Sequence, residues 1–194
     1  MEVIKSLDLK DGSVLEICHD SNPESPREWD NLGVMAVFHN RYDFGDKVEF
    51  TSNDFGSWDE MEAGIKKRYK PIAILPIYMY DHSGITINTT GYSCQFDSGQ
   101  VGFIFTTQKK LDEMGLTINN DESWPEFVQR MEKYLVGEVE TMDQYVSGEV
   151  YGFVIKDQYG NQTDSCWGFY GDDPKVNGIL DHVDQDNIKN LDDL

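Results

Sequence analysis

Two apolar runs bracket a polar stretch between Pro71 and Thr107, and this arrangement restricts the fold more than any other feature of the chain. The first run is Ile72 to Tyr80 and the second is Val101 to Phe105. Runs of this length, rich in Ile, Val, Phe and Tyr and bounded by turn residues, read as buried strands. The polar segment between them is dense in Gly, Asp, Ser and Thr and holds His82. Asp81-His82-Ser83-Gly84 and Asp97-Ser98-Gly99-Gln100 therefore fall at strand ends, where an active site or a demanding pair of turns is expected.

The rest of the chain supplies further strands and two main helices. Val3 to Leu9 and Val14 to Ile17 flank the Asp11-Gly12 turn pair and read as a hairpin. A short strand is expected over Val34 to His39. Ser57 and Glu60 have capping-box spacing ahead of the stripe Trp58, Met61, Ile65, Tyr69, and Lys66-Lys67-Arg68 close that helix as the largest basic cluster. A short helix over Gln108 to Met114 stops at Gly115. The longest helix is expected from Trp124 to Tyr145, with a second capping box at Ser123 and Glu126. Its apolar stripe includes Trp124, Phe127, Met131, Tyr134, Leu135, Val139 and Met142, and its outer face is assigned Glu132, Glu138, Glu140 and Asp143. Two strands, Glu149 to Asp157 and Thr163 to Tyr170, follow. The class expected is α+β: a mostly antiparallel sheet with two main helices packed on one face. The expected organisation is one domain over 1–171 and an acidic, weakly helical segment over 172–194, whose Ile179, Leu180, Val183, Ile188 and Leu191 dock on the body.

Charge narrows the function classes. Thirty-six acids against sixteen bases leave a net charge of −20. Such a field repels nucleic acid and anionic membrane and attracts cationic protein surfaces. Direct DNA binding is not expected, whereas binding to a protein that itself binds DNA is. Acidity serving solubility alone is the plainer reading. Cys18, Cys94 and Cys166 are odd in number and lack CxxC spacing, so neither a disulfide framework nor a zinc knuckle is indicated. No signal-peptide core or membrane-span-length run occurs, which makes a cytoplasmic location the expectation.

Several side chains carry candidate chemistry. His19, His39 and His82 with Asp30, Asp81 and Asp97 are possible metal ligands, but no pair has a known ligand spacing, so no metal and no cofactor is expected. A catalytic alternative draws on His39, Asp81, His82, Ser83, Cys94 and Asp97, because a thiol or hydroxyl needs a base and the base an orienting carboxylate. The competing reading makes Asp81 and Ser83 a turn, with Gly84 supplying a positive φ. No P-loop or GxGxxG motif is present. Trp29 and Asp30, in Glu28-Trp29-Asp30-Asn31-Leu32-Gly33, are either a core plug with its neighbours or an exposed anchor for a partner.

PREWDNLGVMAVFHNRYDFGD with ILPIYMYDHSGITINTTGYSCQFDSGQVGFIF resembles a family of small proteins of phages, plasmids and other mobile elements of Gram-positive bacteria. The similarity covers residues 26–107. The resemblance implies no established activity. A mobile-element origin, taken with the charge, suggests an inhibitor of host defence. The expected partner is a host nucleic-acid-binding protein, an RNA-guided nuclease such as Cas9 or a restriction enzyme. The expected contact residues are Glu132, Glu138, Glu140, Asp143, Trp29, Asp30 and the terminal aspartates.

Overall fold

The computed structural model describes residues 2–94 and 96–190, so Leu191, Asp192 and Asp193 lie outside the described residues. The fold is α+β, and the described residues form two antiparallel four-stranded sheets and three α-helices. The chain groups into a central unit, Pro26–Ser147, and a flanking unit made of Met1–Ser25 with Gly148–Leu194, a grouping that cuts across the boundary expected at residue 171. Among the described residues no helix is long and apolar enough to cross a membrane.

The flanking unit carries the sheet β1-β2-β7-β8, formed by β1 (Val3–Asp8), β2 (Val14–His19), β7 (Val150–Lys156) and β8 (Gln162–Tyr170). The first two strands are the hairpin that Asp11-Gly12 signals; Gly12 has φ +88°, the conformation for which glycine is suited. Leu7, Leu15, Ile17, Phe153 and Phe169 form its core. Ile179, Leu180, Val183 and Ile188 pack into the same core, so the 172–190 stretch is folded against the sheet. Its helical content is two short turns, Ile179–His182 and Gln185–Asn187, and not the longer weak helix expected. Five aspartates are enough to explain this, because they favour local turns over helix interiors.

The central unit carries the sheet β3-β6-β4-β5, from β3 (Val34–Val37), β4 (Ala73–Asp81), β5 (Ile85–Asn88) and β6 (Ser98–Thr106). Its helices are α1 (Trp58–Tyr69), α2 (Gln108–Glu113) and α3 (Trp124–Ser147). The two apolar runs are β4 and β6, adjacent and antiparallel. Pro76 is tolerated in β4 because it precedes the stretch paired with β5, where the strand has one neighbour and no second ladder to supply. Gly102 is required in β6, since a Cβ there would stand 2.0 Å from the Ala36 carbonyl oxygen of β3.

The expected placement of both main helices on one face is corrected. Along β6, Phe103 and Phe105 belong to a cluster with Met61 and Ile65 of α1, whereas Ile104 belongs to a cluster with Met131, Leu135 and Val139 of α3. Successive strand residues point to opposite faces. The helices therefore cover opposite faces, and β6 is buried from Val101 to Thr106 without a break. On α3, Phe127, Met131, Leu135, Val139 and Met142 recur at helical spacing and are fully enclosed. At about 1.5–3 kcal/mol per buried side chain, before entropy, this stripe is the largest apolar contribution of any helix. Trp124 and Tyr134, expected in the stripe, are exposed.

Polar contacts then fix the irregular segments. Arg27, its side chain only 7% exposed, donates to Asp46 Oδ1 and Oδ2 at 3.1 and 2.6 Å and to Glu138 Oε2 at 2.9 Å. Glu138 Oε1 also accepts from the backbone N–H groups of Leu32 and Gly33, at 2.7 and 3.0 Å. Burial lowers the Arg27 pKa, but the hydrogen bonds and charges of Asp46 and Glu138 outweigh it and raise the value overall. Glu138→Gln leaves Arg27 paired with Asp46 but weakens the charge-assisted hydrogen bonds to Arg27 and to two backbone N–H groups, so it is expected to cost about 1.5–3 kcal/mol in urea unfolding. A loss under about 0.5 kcal/mol, the range of ordinary surface changes, would show that the network is not stabilising.

At the other end of α3, Arg130 forks onto Glu122 at 2.8 Å through both Nε and Nη2, and Nη2 also donates to the Thr117 carbonyl at 2.8 Å. The Arg130 hydrogen bonds hold the Glu122 carboxyl down to about 2. A carboxyl depressed in the folded state stabilises fully above its unfolded value and loses that contribution as pH falls through the folded one. Stability should therefore decline between pH 4.5 and 2, the interval between the ordinary and the depressed value. Replacing Arg130 with Met should flatten this decline in thermal melts recorded across that range.

Candidate functional site

The cluster expected from the sequence sits where β4 and β6 end together. The Asp81 backbone N–H donates to the Asp97 carbonyl at 2.8 Å, which ties the loop before β6 to the last residue of β4. The turn from β4 into β5 is closed by His82 N–H to the Gly84 carbonyl at 3.0 Å. Its left-handed residue is Ser83, φ +62°, and not Gly84 as expected. The chain returns from β5 through an Asx turn in which Asn88 Oδ1 accepts from Thr90 and Gly91, at 3.1 and 2.7 Å.

Three of the expected residues converge on one oxygen. Asp97 Oδ2 lies 3.5 Å from His82 Nδ1 and 3.7 Å from Cys94 Sγ. Asp81 takes another partner, an ion pair with Arg41. His39 stacks on the Tyr42 ring at 5.2 Å and accepts from the Arg41 backbone N–H at 3.3 Å through Nδ1. Burial, then the Arg41 charge, lowers its pKa. Among the described residues His39 thus meets the cluster by way of Arg41. No hydrogen bond among those seen in the described residues joins Ser83 to His39 or Asp97, so that combination is not assembled.

This order of groups has chemical consequences. A reactive cysteine needs a base or cation beside its sulfur. Here the carboxylate stands between thiol and imidazole, and the group facing the sulfur is a negatively charged hydrogen-bond acceptor. His82 is positioned by Asp97, but it stands in the open, its side chain 64% exposed. A polar groove of about 540 Å³ adjoins the same turn, lined by Tyr78, Tyr92, Gln100 and neighbouring Ser and Gly residues. Neither His82 nor Asp97 lines it. Among the described residues no group of three His, Cys, Asp or Glu is arranged to hold a metal ion.

The expected contact surface on α3 is also redrawn. Glu138 is engaged by Arg27 and two backbone N–H groups, and Asp143 accepts from Thr86 Oγ1 and Ile87 N–H at 2.7 and 2.6 Å. Both face the protein and hold other elements to α3. Of the four acids assigned to an outer face, Glu140 is exposed and Glu132 half-exposed. Trp29 is 42% exposed and Asp30 exposed, so Trp29 is not a core plug. The buried residues of that motif are Leu32 and Gly33. Asn31 holds the loop by donating from Nδ2 to the Pro26 and Trp29 carbonyls at 2.8 and 2.7 Å.

Sequence reasoning missed β5, which places Thr86 and Ile87 against Asp143. The alternation in Ile85-Thr86-Ile87-Asn88 was the available signal. It also missed that Arg41 binds Asp81, a contact between residues forty positions apart with no local mark.

Comparison with family models, with curated proteins and with solved structures finds no match for this chain.

The position of Asp97 is testable at the sulfur. Asp97→Asn should raise the rate of Cys94 alkylation at neutral pH by roughly 3- to 10-fold, because it removes the facing negative charge. The measurement needs Cys166 replaced by Ser to isolate the signal. A rate unchanged or lowered would mean that Asp97 does not restrain the thiol.

Proposed function

We propose that this protein is a cytoplasmic, non-enzymatic inhibitor encoded by a phage or mobile element, which offers carboxylates to the basic groove of a nucleic-acid-binding defence nuclease. The observation that carries this reading is the disposition of charge. The net charge is −20, and each of the four arginines is held in an ion pair, Arg27 with Asp46, Arg41 with Asp81, Arg68 with Glu49 and Arg130 with Glu122. Arginine is the side chain best suited to phosphate, and here none is left to recruit it. What the surface offers is carboxylate. Asp172, Asp173, Asp181, Asp184 and Asp186 are all exposed on the stretch that Ile179 and Ile188 anchor to the flanking unit. A fixed acidic segment suits a cationic groove that normally meets about one phosphate charge per 1.7 Å of duplex.

The enzymatic alternative is supported less well, because Asp97 separates Cys94 from His82 and the adjoining groove is lined by neither His82 nor Asp97.

The test is capture of defined defence nucleases, an RNA-guided nuclease and a restriction enzyme, on the immobilised protein. Binding at about 0.1 M salt should be lost near 1 M, where the screening length falls to about 3 Å, and duplex DNA should displace the bound nuclease. The triple variant Asp172→Asn, Asp181→Asn, Asp186→Asn should bind at least about tenfold more weakly with an unchanged melting temperature, since exposed charge acts mainly through long-range attraction. Affinity that ignores both salt and these substitutions would overturn the proposal.

A further inference from the structure

One cleft of the central unit runs against the charge of the rest of the surface. It has a volume of about 310 Å³, at the lower end of the range for small-molecule sites. Its floor is apolar: Val34 of β3, Val48, Tyr69 at the end of α1, and Phe105 of β6. The Tyr69 and Phe105 rings lie 5.3 Å apart, and the Arg68 guanidinium sits 5.4 Å over the Tyr69 ring. Three lysines line the same cleft, Lys47, Lys109 and Lys110. That is a dense share of cations for a chain with sixteen basic residues and thirty-six acids.

The charges around the cleft can be followed one by one. Glu49 and Glu113 also line it. Glu49 is paired with Arg68, and Glu113 lies 3.6 Å from Lys109. Lys110 donates to the Asn31 carbonyl at 3.2 Å, a neutral partner that leaves its charge uncompensated and two of its three N–H donors for other use. Lys47 is exposed and has no carboxylate within ion-pair distance among the described residues. The lining therefore has an excess of positive charge over an apolar, ring-bearing floor. A multiply charged phosphate would meet Glu49 and Glu113; a single carboxylate would not need to.

We propose that this cleft binds a small aromatic monocarboxylate, its flat ring packed on Tyr69 and the two valines and its carboxylate directed to Lys47 and Lys110. Cation–carboxylate contact supplies orientation, and ring burial supplies most of the affinity. The cleft shares no lining residue with the Asp97 cluster or with the acidic segment.

The probe is 2-naphthoate, titrated into the isotopically labelled full chain and followed by amide chemical shifts. Saturable shifts are expected at Val34, Val48, Tyr69 and Thr107. Lys47→Glu, at an exposed position, should keep the spectrum of the folded protein and weaken binding at least fivefold. The cationic analogue 2-naphthylmethylamine should bind the native protein at least fivefold more weakly than 2-naphthoate. Equal binding of the two analogues, indifference to Lys47→Glu, shifts that map elsewhere, or no saturable shifts at all would each overturn the proposal.

Discussion

A buried guanidinium between two carboxylates is the contact on which the central unit depends. Arg27 comes from the loop before β3, Asp46 from the loop after it and Glu138 from the middle of α3. Asp46 also accepts from the Met35 N–H at 2.8 Å, and Arg27 donates to the Gly33 carbonyl at 2.7 Å. Two irregular segments and a helix thus share one set of charges. Desolvating such a set is costly, and only near-complete hydrogen bonding offsets it. The geometry meets that demand. Gly33 packs closely beside this set: a Cβ there would lie 2.7 Å from the Leu135 side chain and 2.8 Å from that of Ile104, so those side chains would have to shift to admit it.

Once that loop is seated, the sheet can be buried on both sides. β3 enters beside β6, and the alternation along β6 sends Phe103 and Phe105 to α1 and Ile104 to α3. A sheet covered on both faces reads in sequence as continuous apolar runs, which is why β4 and β6 were legible from residues alone. The hairpins, the long helix and one half of each capping box were legible because their signals are local. Ser57 Oγ accepts from Glu60 N–H at 3.2 Å, and Glu126 accepts from Ser123 N–H at 2.8 Å, as their spacing implies. The opposite placement of the two helices was implied by the same runs, since a strand apolar at every position needs cover on two sides.

The site was legible only as a set of residues. His82, Cys94 and Asp97 do come together, yet their order, with the carboxylate in the middle, depends on the path of a polar loop. Glu138 and Asp143 show the same limit on a helix. By periodicity Glu138 falls on the apolar stripe, between Leu135 and Met142, and Asp143 beside it, yet the sequence reading assigns both to the outer face. Each instead collects backbone donors from a partner that is over fifty positions away in sequence, Ile87 for Asp143 and Leu32 for Glu138. Beside a stripe, as at Asp143, only the partner distinguishes an acid that satisfies unpaired N–H groups from one that faces water.

The flanking sheet has a consequence for biosynthesis. β2 and β7 are neighbours in it, but the central unit is encoded between them, and the Glu16–Lys156 contact across that pair joins residues 140 positions apart. At about 5–20 residues per second, roughly 7 to 28 seconds separate the appearance of the two strands on the ribosome. During that interval the β1–β2 hairpin has no third strand and is marginal by itself, while the central unit is being made and has all of its own strands and helices before β7 appears. The nascent chain is therefore expected to fold from its middle outward, with its first-made segment among the last to find its place.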